Sequence, residues 1–193
     1  MKEIQQLSPS LRLALLSLSS YEPYNDPLLS RREHEKNAVR YLIDLLFPLQ
    51  NLQLCYSALG KPFLNNLQGG ISISHSHDLI GILHDTENTH TGLDIELIRN
   101  KVLKIRHKFL SEVEQNFIPP DNVKMHIMAW CAKETIYKIH SEGNLDFANK
   151  IQIDDFTETA ETLDCACTAH DFAFKKKLKV EQVGEYIYTW PIN

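Results

Sequence analysis

Two acidic residues, Asp94 and Glu96, stand two positions apart in the otherwise apolar segment TGLDIELIR, residues 91–99. Because a β-strand directs alternate side chains to opposite faces, the two carboxylates share one face and the neighbouring apolar side chains share the other. A half-exposed strand with one polar face is the ordinary explanation. The alternative is a pair of oxygen ligands for a hard cation, and this segment alone leaves both open.

A third acidic residue, Glu134, lies in the segment WCAKETIYK of a predicted helix. The spacings of three and four predict one chemically active side of this helix, formed by Trp130, Lys133, Glu134, Tyr137 and Lys138. A simple surface ion pair between Glu134 and Lys138 explains part of the pattern equally well. Beside the acidic strand, however, Glu134 provides a third carboxylate. Three carboxylates suit Mg²⁺, which takes oxygen ligands and commonly bridges to substrate phosphates.

Histidines and hydroxyls alternate in the segment SISHSHD. His75 and His77 are predicted to share a strand face, so a zinc site like that of metal-dependent hydrolases is an alternative. The irregular spacing to His84 and His90 does not favour zinc. A histidine beside a hydroxyl at a strand end, such as His75 beside Ser74, is equally able to donate a hydrogen bond to an anion.

Basic residues near a turn and a helix start provide candidate anion contacts. Lys61 lies in the turn sequence GKP. Arg31 lies at the start of a helix predicted over 30–47, where Ser30 and Glu33 form a capping box. The first turn of a helix favours an anion, although a solvated side chain is the ordinary alternative for each cation.

The cysteines do not predict a metal site. The chain has four of them: Cys55, Cys131, Cys165 and Cys167. Cys165 and Cys167 form a C-x-C pattern without a second pair, which is a weak metal signal. We therefore expect buried, reduced thiols that share one face of a strand.

Composition narrows the class of protein. With 193 residues and 43% hydrophobic residues, the chain is long enough to bury a substantial core. The net charge of −5 argues against nucleic-acid binding, which requires a basic surface. No apolar run reaches the length of a membrane span, and Arg12 interrupts the leucines of the first segment. We therefore expect a cytoplasmic protein without a signal peptide.

The pattern of apolar residues predicts both strands and helices. Strands are predicted over 11–19, 52–58, 71–83, the acidic segment and the tail after residue 150, and helices over 30–47, 100–117 and 123–140. A polar turn is predicted over 84–90. We therefore expect a chain that contains both strands and helices.

Five segments in order resemble those of one known family: RRE…AVRYLIDLL, GKPFL, ISISHS, GLDIELI and WCAKETIYK. The chain resembles, from about residue 11 to residue 156, a 4′-phosphopantetheinyl transferase of the surfactin-synthetase-activating type. The paired motifs G-[IV]-D-[IV]-E and W-x-x-K-E-x-x-x-K are specific in combination, whereas either one alone is weak.

The resemblance implies an α+β fold of two pseudo-symmetric halves, each a small antiparallel sheet packed with a long helix, with the active site in the cleft between them. It implies that residues 1–88 form the half that binds the phosphates of coenzyme A. Residues 89–193 would form the half with the acids and the W-x-x-K-E-x-x-x-K helix. A chain with both halves needs no partner to complete its cleft, so a monomer is expected.

The implied activity transfers the 4′-phosphopantetheine group of coenzyme A to a serine of an apo acyl or peptidyl carrier protein. The products are the holo carrier and adenosine 3′,5′-bisphosphate. The implied Mg²⁺ ligands are Asp94, Glu96 and Glu134, the implied catalytic residues are Glu134 and Lys138, and the implied coenzyme A contacts are Arg31, Lys61, Ser74, His75, Lys133 and Lys138. A phosphoryl-type transfer depends mainly on positioning and charge neutralisation, which suits this set.

Three further questions stay open at the level of sequence. The basic segment RNKVLKIRHK, residues 99–108, is either a docking patch for an acidic carrier or an ordinary solvated helix face. A metal-dependent hydrolase that uses the H-x-H and the acids, and a non-catalytic coenzyme A or carrier-binding module, are the alternative functions. The sequence does not indicate whether the carrier serves fatty-acid, polyketide or peptide synthesis.

Overall fold

The computed structural model describes residues 1–22, 28–169 and 172–192. The chain divides into two compact units, Met1–Thr91 and Gly92–Asn193, each built from an antiparallel sheet and helices. The α+β fold class is therefore confirmed. The pseudo-symmetry of the two units and the functions assigned to them stay predictions.

The N-terminal unit is a four-stranded sheet with one long helix and a separate hairpin. Its elements are β1 (Lys2–Gln6), β2 (Leu11–Ser17), α1 (Arg31–Leu46), β3 (Leu54–Tyr56), β4 (Pro62–Leu64), β5 (Gly70–Ser76) and β6 (Leu79–Asp85). The strand order is β1-β2-β6-β5, with every neighbouring pair antiparallel, and β3 pairs with β4.

Helix α1 covers this sheet through its apolar stripe. Ser30 begins the helix: its side chain accepts from the Glu33 backbone N–H, and the Glu33 side chain accepts from the Ser30 backbone N–H, as the predicted capping box requires. Leu42, Ile43 and Leu46 are almost fully buried, and α1 packs against β2 and β6. The packing holds the first turn of α1 close to the end of β5.

The C-terminal unit is a five-stranded sheet packed against a long helix. Its elements are β7 (Asp94–Leu97), α2 (Lys101–Ile105), α3 (Glu112–Phe117), α4 (Val123–His140), α5 (Phe147–Lys150), β8 (Ile151–Ile153), β9 (Thr162–Ala169), β10 (Phe172–Val183) and β11 (Tyr186–Ile192). The strand order is β7-β11-β10-β9-β8, and all pairs are antiparallel. The acidic strand is therefore an edge strand of this sheet.

The single helix predicted over 100–117 is wrong. The segment forms α2, a 3₁₀ turn over Arg106–Lys108, and α3. Ser111 starts α3 with its own capping box, because its side chain accepts from the Glu114 N–H and the Glu114 side chain accepts from the Ser111 N–H. The basic residues of 99–108 consequently do not share one continuous helix face.

Helix α4 contains the segment WCAKETIYK and runs through the core of the C-terminal unit. Its buried side chains include Met128, Ala132, Ile136 and Ile139, and the helix packs against β7 and β11. The Asn122 side chain caps its first turn by accepting from a backbone N–H, and Ser141 ends it in the left-handed conformation with φ 56°. Both ends of α4 are thus fixed, and this determines the position of the segment WCAKETIYK along β7.

Candidate active site

Strand β7 and helix α4 approach each other closely just before the acidic segment. A Cβ on Gly92 would lie 2.4 Å from the Thr135 carbonyl oxygen, which is closer than real Cβ contacts allow. The Thr135 and Thr189 hydroxyls are 2.6 Å apart and join α4 to β11, where Thr189 is the register partner of Asp94. A glycine and a buried hydroxyl pair therefore set the spacing between the two motifs.

Asp94 and Lys138 form a direct ion pair across this spacing. The Lys138 Nζ lies 2.8 Å from the Asp94 Oδ1 and also donates to the Leu93 carbonyl at 2.8 Å. Asp94 is only 4% exposed, so its carboxylate is not part of a wet strand face. The charge of Lys138 is therefore directed at the acidic strand rather than at bulk solvent.

Glu96 is held by the tryptophan of the second motif. The Trp130 indole N–H donates to the Glu96 Oε1 at 2.7 Å. The indole is itself fixed by stacking on Phe147, with ring centroids 5.5 Å apart, and by an edge contact with Phe109 at 5.1 Å. A hydrogen bond from a rigid aromatic donor leaves the Glu96 carboxylate in a defined orientation.

Glu134 lies among these charges and is half-buried. Its pKa is raised to about 7, first by burial and then by the negative charge of Asp94, with a smaller effect from Glu96, whereas Lys138 acts in the opposite direction. Burial is the main cause of this shift, and the negative charges of Asp94 and Glu96 add to it. A titratable group with a pKa near neutrality is also suited to proton transfer.

The donor chemistry of these acids fits a hard cation. Asp94, Glu96 and Glu134 offer oxygen atoms only, which is the ligand type that Mg²⁺ prefers, and their mutual repulsion is what a divalent cation relieves. Among the described residues, no group of three His, Cys, Asp or Glu side chains is arranged as a metal site as it stands. The fit therefore rests on donor type and charge, and the ligand set stays a prediction.

Lys133 lies apart from the acids. Its side chain is fully buried, with Nζ 2.6 Å from the Glu114 Oε2 and hydrogen bonds to the carbonyls of Phe147 and Ile151. The Glu114 Oε1 accepts from the Ile153 N–H at 2.9 Å. This placement argues against the predicted contact of Lys133 with coenzyme A. Lys133 lies beside Trp130 and Tyr137, which both contact Phe147, but its amine is buried in the core.

In the N-terminal unit, the predicted coenzyme A contacts are arranged as follows. The Arg31 guanidinium donates to the His77 carbonyl at 3.0 Å, so it spans from α1 to the β5–β6 turn. His75 is exposed on β5, whereas the adjacent Ser74 is buried. The side chains of these two residues therefore lie on opposite faces of the strand. The structure therefore brings Arg31 near the His75 end of β5 but does not bring Ser74 and His75 to one face.

Lys61 lies in the turn of the β3–β4 hairpin, directly before the first residue of β4. Its backbone N–H donates to the Ser57 Oγ at 3.1 Å, and its carbonyl accepts from the Ser57 N–H at 2.9 Å. Burial lowers the pKa of the Lys61 amine. This lysine is therefore a partly desolvated cation on a well-formed turn.

The H-x-H zinc alternative gains no support from the backbone. Strand β5 ends at Ser76, and His77 has a φ of 50° in the following turn, so His75 and His77 are not successive residues of one strand face.

The cysteines Cys131, Cys165 and Cys167 are buried free thiols. Burial raises the pKa of Cys131 and of Cys165, which keeps these thiols protonated and unreactive.

Sequence reasoning missed three residues that contact predicted site residues or join the elements that carry them. Glu114 pairs with Lys133, Thr135 bonds to Thr189, and Glu35 lies beside Arg31. The S-x-x-E spacing of Ser111 and Glu114 is visible in the sequence and predicts a helix start. Nothing in that spacing indicates the long-range contact with Lys133.

The family of the chain follows from a match over its second half. Residues 90–190, which are more than half of the chain, match the family model described as the 4′-phosphopantetheinyl transferase superfamily. The chain therefore belongs to this superfamily, whose members transfer the phosphopantetheinyl group of coenzyme A to carrier proteins and generally use Mg²⁺.

The matched region extends the resemblance found in the sequence. It contains both paired motifs, and it continues through β9, β10 and β11, where sequence reasoning found only a loose resemblance. No curated protein sequence matches the chain significantly. Within the described part of the chain, no helix is long and apolar enough to cross a membrane.

The contact between Trp130 and Glu96 leads to a first prediction. Trp130→Phe keeps an aromatic ring on Phe147 but removes the indole N–H, so Glu96 loses a fixed hydrogen bond. Loss of a hydrogen bond that orients a ligand carboxylate typically costs about 10- to 100-fold in metal affinity or activity. We expect the Mg²⁺ concentration that gives the half-maximal transfer rate to rise by that factor. The measurement is the transfer rate as a function of Mg²⁺ concentration. Trp190→Phe, a substitution on β11, is the control and should leave the Mg²⁺ curve in place.

Proposed function

We propose that the protein transfers the 4′-phosphopantetheine group of coenzyme A to a serine of an apo acyl or peptidyl carrier protein, releasing adenosine 3′,5′-bisphosphate. The observation that carries this proposal is the direct contact of the two motifs inside the matched family region, where Lys138 pairs with Asp94 and Trp130 donates to Glu96. The activity is that of a holo-[acyl-carrier-protein] synthase, of the surfactin-synthetase-activating type.

Each residue of the cluster has a proposed task. Asp94, Glu96 and Glu134 hold Mg²⁺, which when bound neutralises charge on the pyrophosphate of coenzyme A. Glu134 accepts the proton of the carrier serine, directly or through water. Lys138 presents a point charge to the phosphate oxygens while it orients Asp94.

We propose that the N-terminal unit contributes contacts to the phosphates of coenzyme A. Arg31, Lys61 and His75 are the proposed contacts, with Arg31 and Lys61 at the 3′-phosphate. The partial exposure of the Arg31 and His75 side chains, 58% and 52%, leaves both accessible to a ligand. Ser74 stays a weaker candidate, because its side chain is buried on the other face of β5.

The cellular location, the oligomeric state and the carrier partner are proposed from the sequence and the family. We propose a cytoplasmic monomer whose partner is an acidic carrier of fatty-acid, polyketide or peptide synthesis. The segment 99–108 supports carrier docking because it concentrates basic residues beside β7, although α2 and the 3₁₀ turn divide them.

The experiment that tests the function measures the mass of the carrier. The protein is incubated with coenzyme A, Mg²⁺ and an apo acyl carrier protein, and in parallel with an apo peptidyl carrier. The carrier should gain the mass of one phosphopantetheine group, and the gain should disappear with EDTA. Absence of the gain with both carriers, combined with absence of coenzyme A binding by calorimetry, would contradict the proposed function.

A further inference from the structure

Glu35 lies beside two side chains that are proposed to contact phosphate. Its Oε1 is 3.0 Å from the Arg31 Nε and 3.8 Å from the His75 Nδ1. The Glu35 side chain is only 18% exposed, whereas Arg31 and His75 are 58% and 52% exposed. One carboxylate therefore lies beneath two accessible basic groups that come from different elements, α1 and β5.

The backbone around this group is also fixed. Arg31 donates through Nη2 to the carbonyl of His77, whose left-handed conformation turns the chain from β5 into β6. The adjacent Asp78 accepts from the hydroxyls of Ser17 and Ser19 and from the Ser19 backbone N–H. The turn is thus tied down independently of Glu35, and Arg31 is held from two directions.

We propose that Glu35 is a positioning residue that determines the preference of the site for the 3′-phosphate of coenzyme A. This inference rests on the proposed function, because it assumes that Arg31 faces the 3′-phosphate and that His75, which lies beside the same carboxylate, contacts the phosphates of coenzyme A next to it. Two basic groups held close together repel each other when both are charged, and a carboxylate between them offsets that repulsion. Glu35 itself repels an anion, so it acts through the two side chains that it orients.

The role of Glu35 is separable from stability. Arg31 is 58% exposed, and an ion pair with a partner that is largely in solvent contributes little to the free energy of unfolding. Loss of Glu35 should therefore leave the fold intact but make His75 more flexible and leave Arg31 without one of its two supports, the other being the His77 carbonyl. A ligand must then immobilise them again when it binds, which weakens binding by about three- to ten-fold.

The experiment compares coenzyme A with 3′-dephospho-coenzyme A, which lacks only the phosphate in question. Dissociation constants for both are measured by calorimetry for the wild-type protein, Glu35→Gln and Asp44→Asn. Asp44→Asn is the matched control, because Asp44 forms the same type of pair with Arg40 on α1, at 3.3 Å. We expect Glu35→Gln to weaken binding of coenzyme A by about three- to ten-fold and binding of the dephospho form hardly at all. Asp44→Asn should change neither.

Three outcomes would overturn the inference. Equal weakening of both ligands would place Glu35 in general support of the fold or of another phosphate, and tighter binding of coenzyme A would show that Glu35 merely competes with the ligand. A wild-type protein that binds both ligands equally would remove the 3′-phosphate contact. In that third case the carrier mass assay still decides the transferase function separately. A far-ultraviolet circular dichroism melt identical to that of the wild type verifies that Glu35→Gln is folded.

Discussion

Asp94→Asn should lower the rate of phosphopantetheinyl transfer by about 10²- to 10³-fold while the protein remains folded. Asparagine has the size of aspartate and still accepts a hydrogen bond from Lys138, but it lacks the charge that a divalent cation requires. Lys138 is 27% exposed and also bonds to the Leu93 carbonyl, so loss of its ionic partner leaves it hydrated rather than stranded. The loss should therefore appear in catalysis more than in stability.

The control for this prediction is another aspartate of the same unit. Asp164→Asn removes an exposed carboxylate on β9 that pairs with Lys177 at 3.4 Å, so it changes the net charge by the same amount. The rate of transfer to the carrier should be unchanged in this variant. The rate is measured at saturating Mg²⁺ from the intact mass of the carrier as a function of time. Equal rates for Asp94→Asn and the wild type would remove Asp94 from the active site.

The sequence predicted the elements that carry a clear period or cap. Helix α1 was predicted because Ser30 and Glu33 mark its start and an apolar stripe follows, and α4 was predicted for its long helical spacing. The failures have physical causes. Strand β1, with the sequence KEIQQ, was not predicted because it is an exposed edge strand with almost no apolar face. The helix over 100–117 was predicted as continuous because the apolar period hides the new start at Ser111.

The site was predictable only in part, because sequence spacing reports local geometry. Alternation along β7 predicted that Asp94 and Glu96 share a face, and helical spacing predicted that Glu134 and Lys138 are neighbours. Spacing on α4 also grouped Lys133 with them, although the structure pairs it with Glu114 in the core. A buried cation needs a partner from elsewhere in the chain, and a partner of that kind leaves no periodic trace in the sequence.

The same limit applies to the residues that hold the two motifs together. The closeness of Gly92 to Thr135 and the hydrogen bond from Trp130 to Glu96 depend on how α4 packs on β7. The family motifs contain Gly92 and Trp130, yet the reason for each residue type becomes visible only when the two elements are adjacent.

Glu134→Gln should have two separate effects, the first of which is on catalysis. Glutamine cannot accept the proton of the carrier serine and removes one of the three coupled charges. Loss of a positioned general base typically lowers a rate by about 10²- to 10⁴-fold, and we expect a decrease in that range at saturating coenzyme A. A variant that transfers at the wild-type rate would exclude Glu134 as the base.

The second effect is on the pH dependence of stability without Mg²⁺. The pKa of Glu134 in the folded protein is about 7, against an ordinary value of 4.5, so the folded state retains a proton that the unfolded chain loses between these two pH values. The stabilising contribution is complete below pH 4.5 and is lost as the pH rises through 7. The wild-type protein should therefore lose up to about 3 kcal/mol relative to Glu134→Gln across this window.

The measurement is urea unfolding at several pH values with EDTA present. The difference in the free energy of unfolding, Glu134→Gln minus wild type, should increase with pH. Addition of Mg²⁺ at pH 8 should raise the stability of the wild type more than that of the variant, because binding to the folded state stabilises it by mass action. Glu161→Gln is the control: Lys179 lowers the pKa of Glu161, so this variant should show no increase of that sign. Parallel curves for Glu134→Gln and the wild type would mean that neither burial nor the charge of Asp94 raises the pKa of Glu134 in the folded protein.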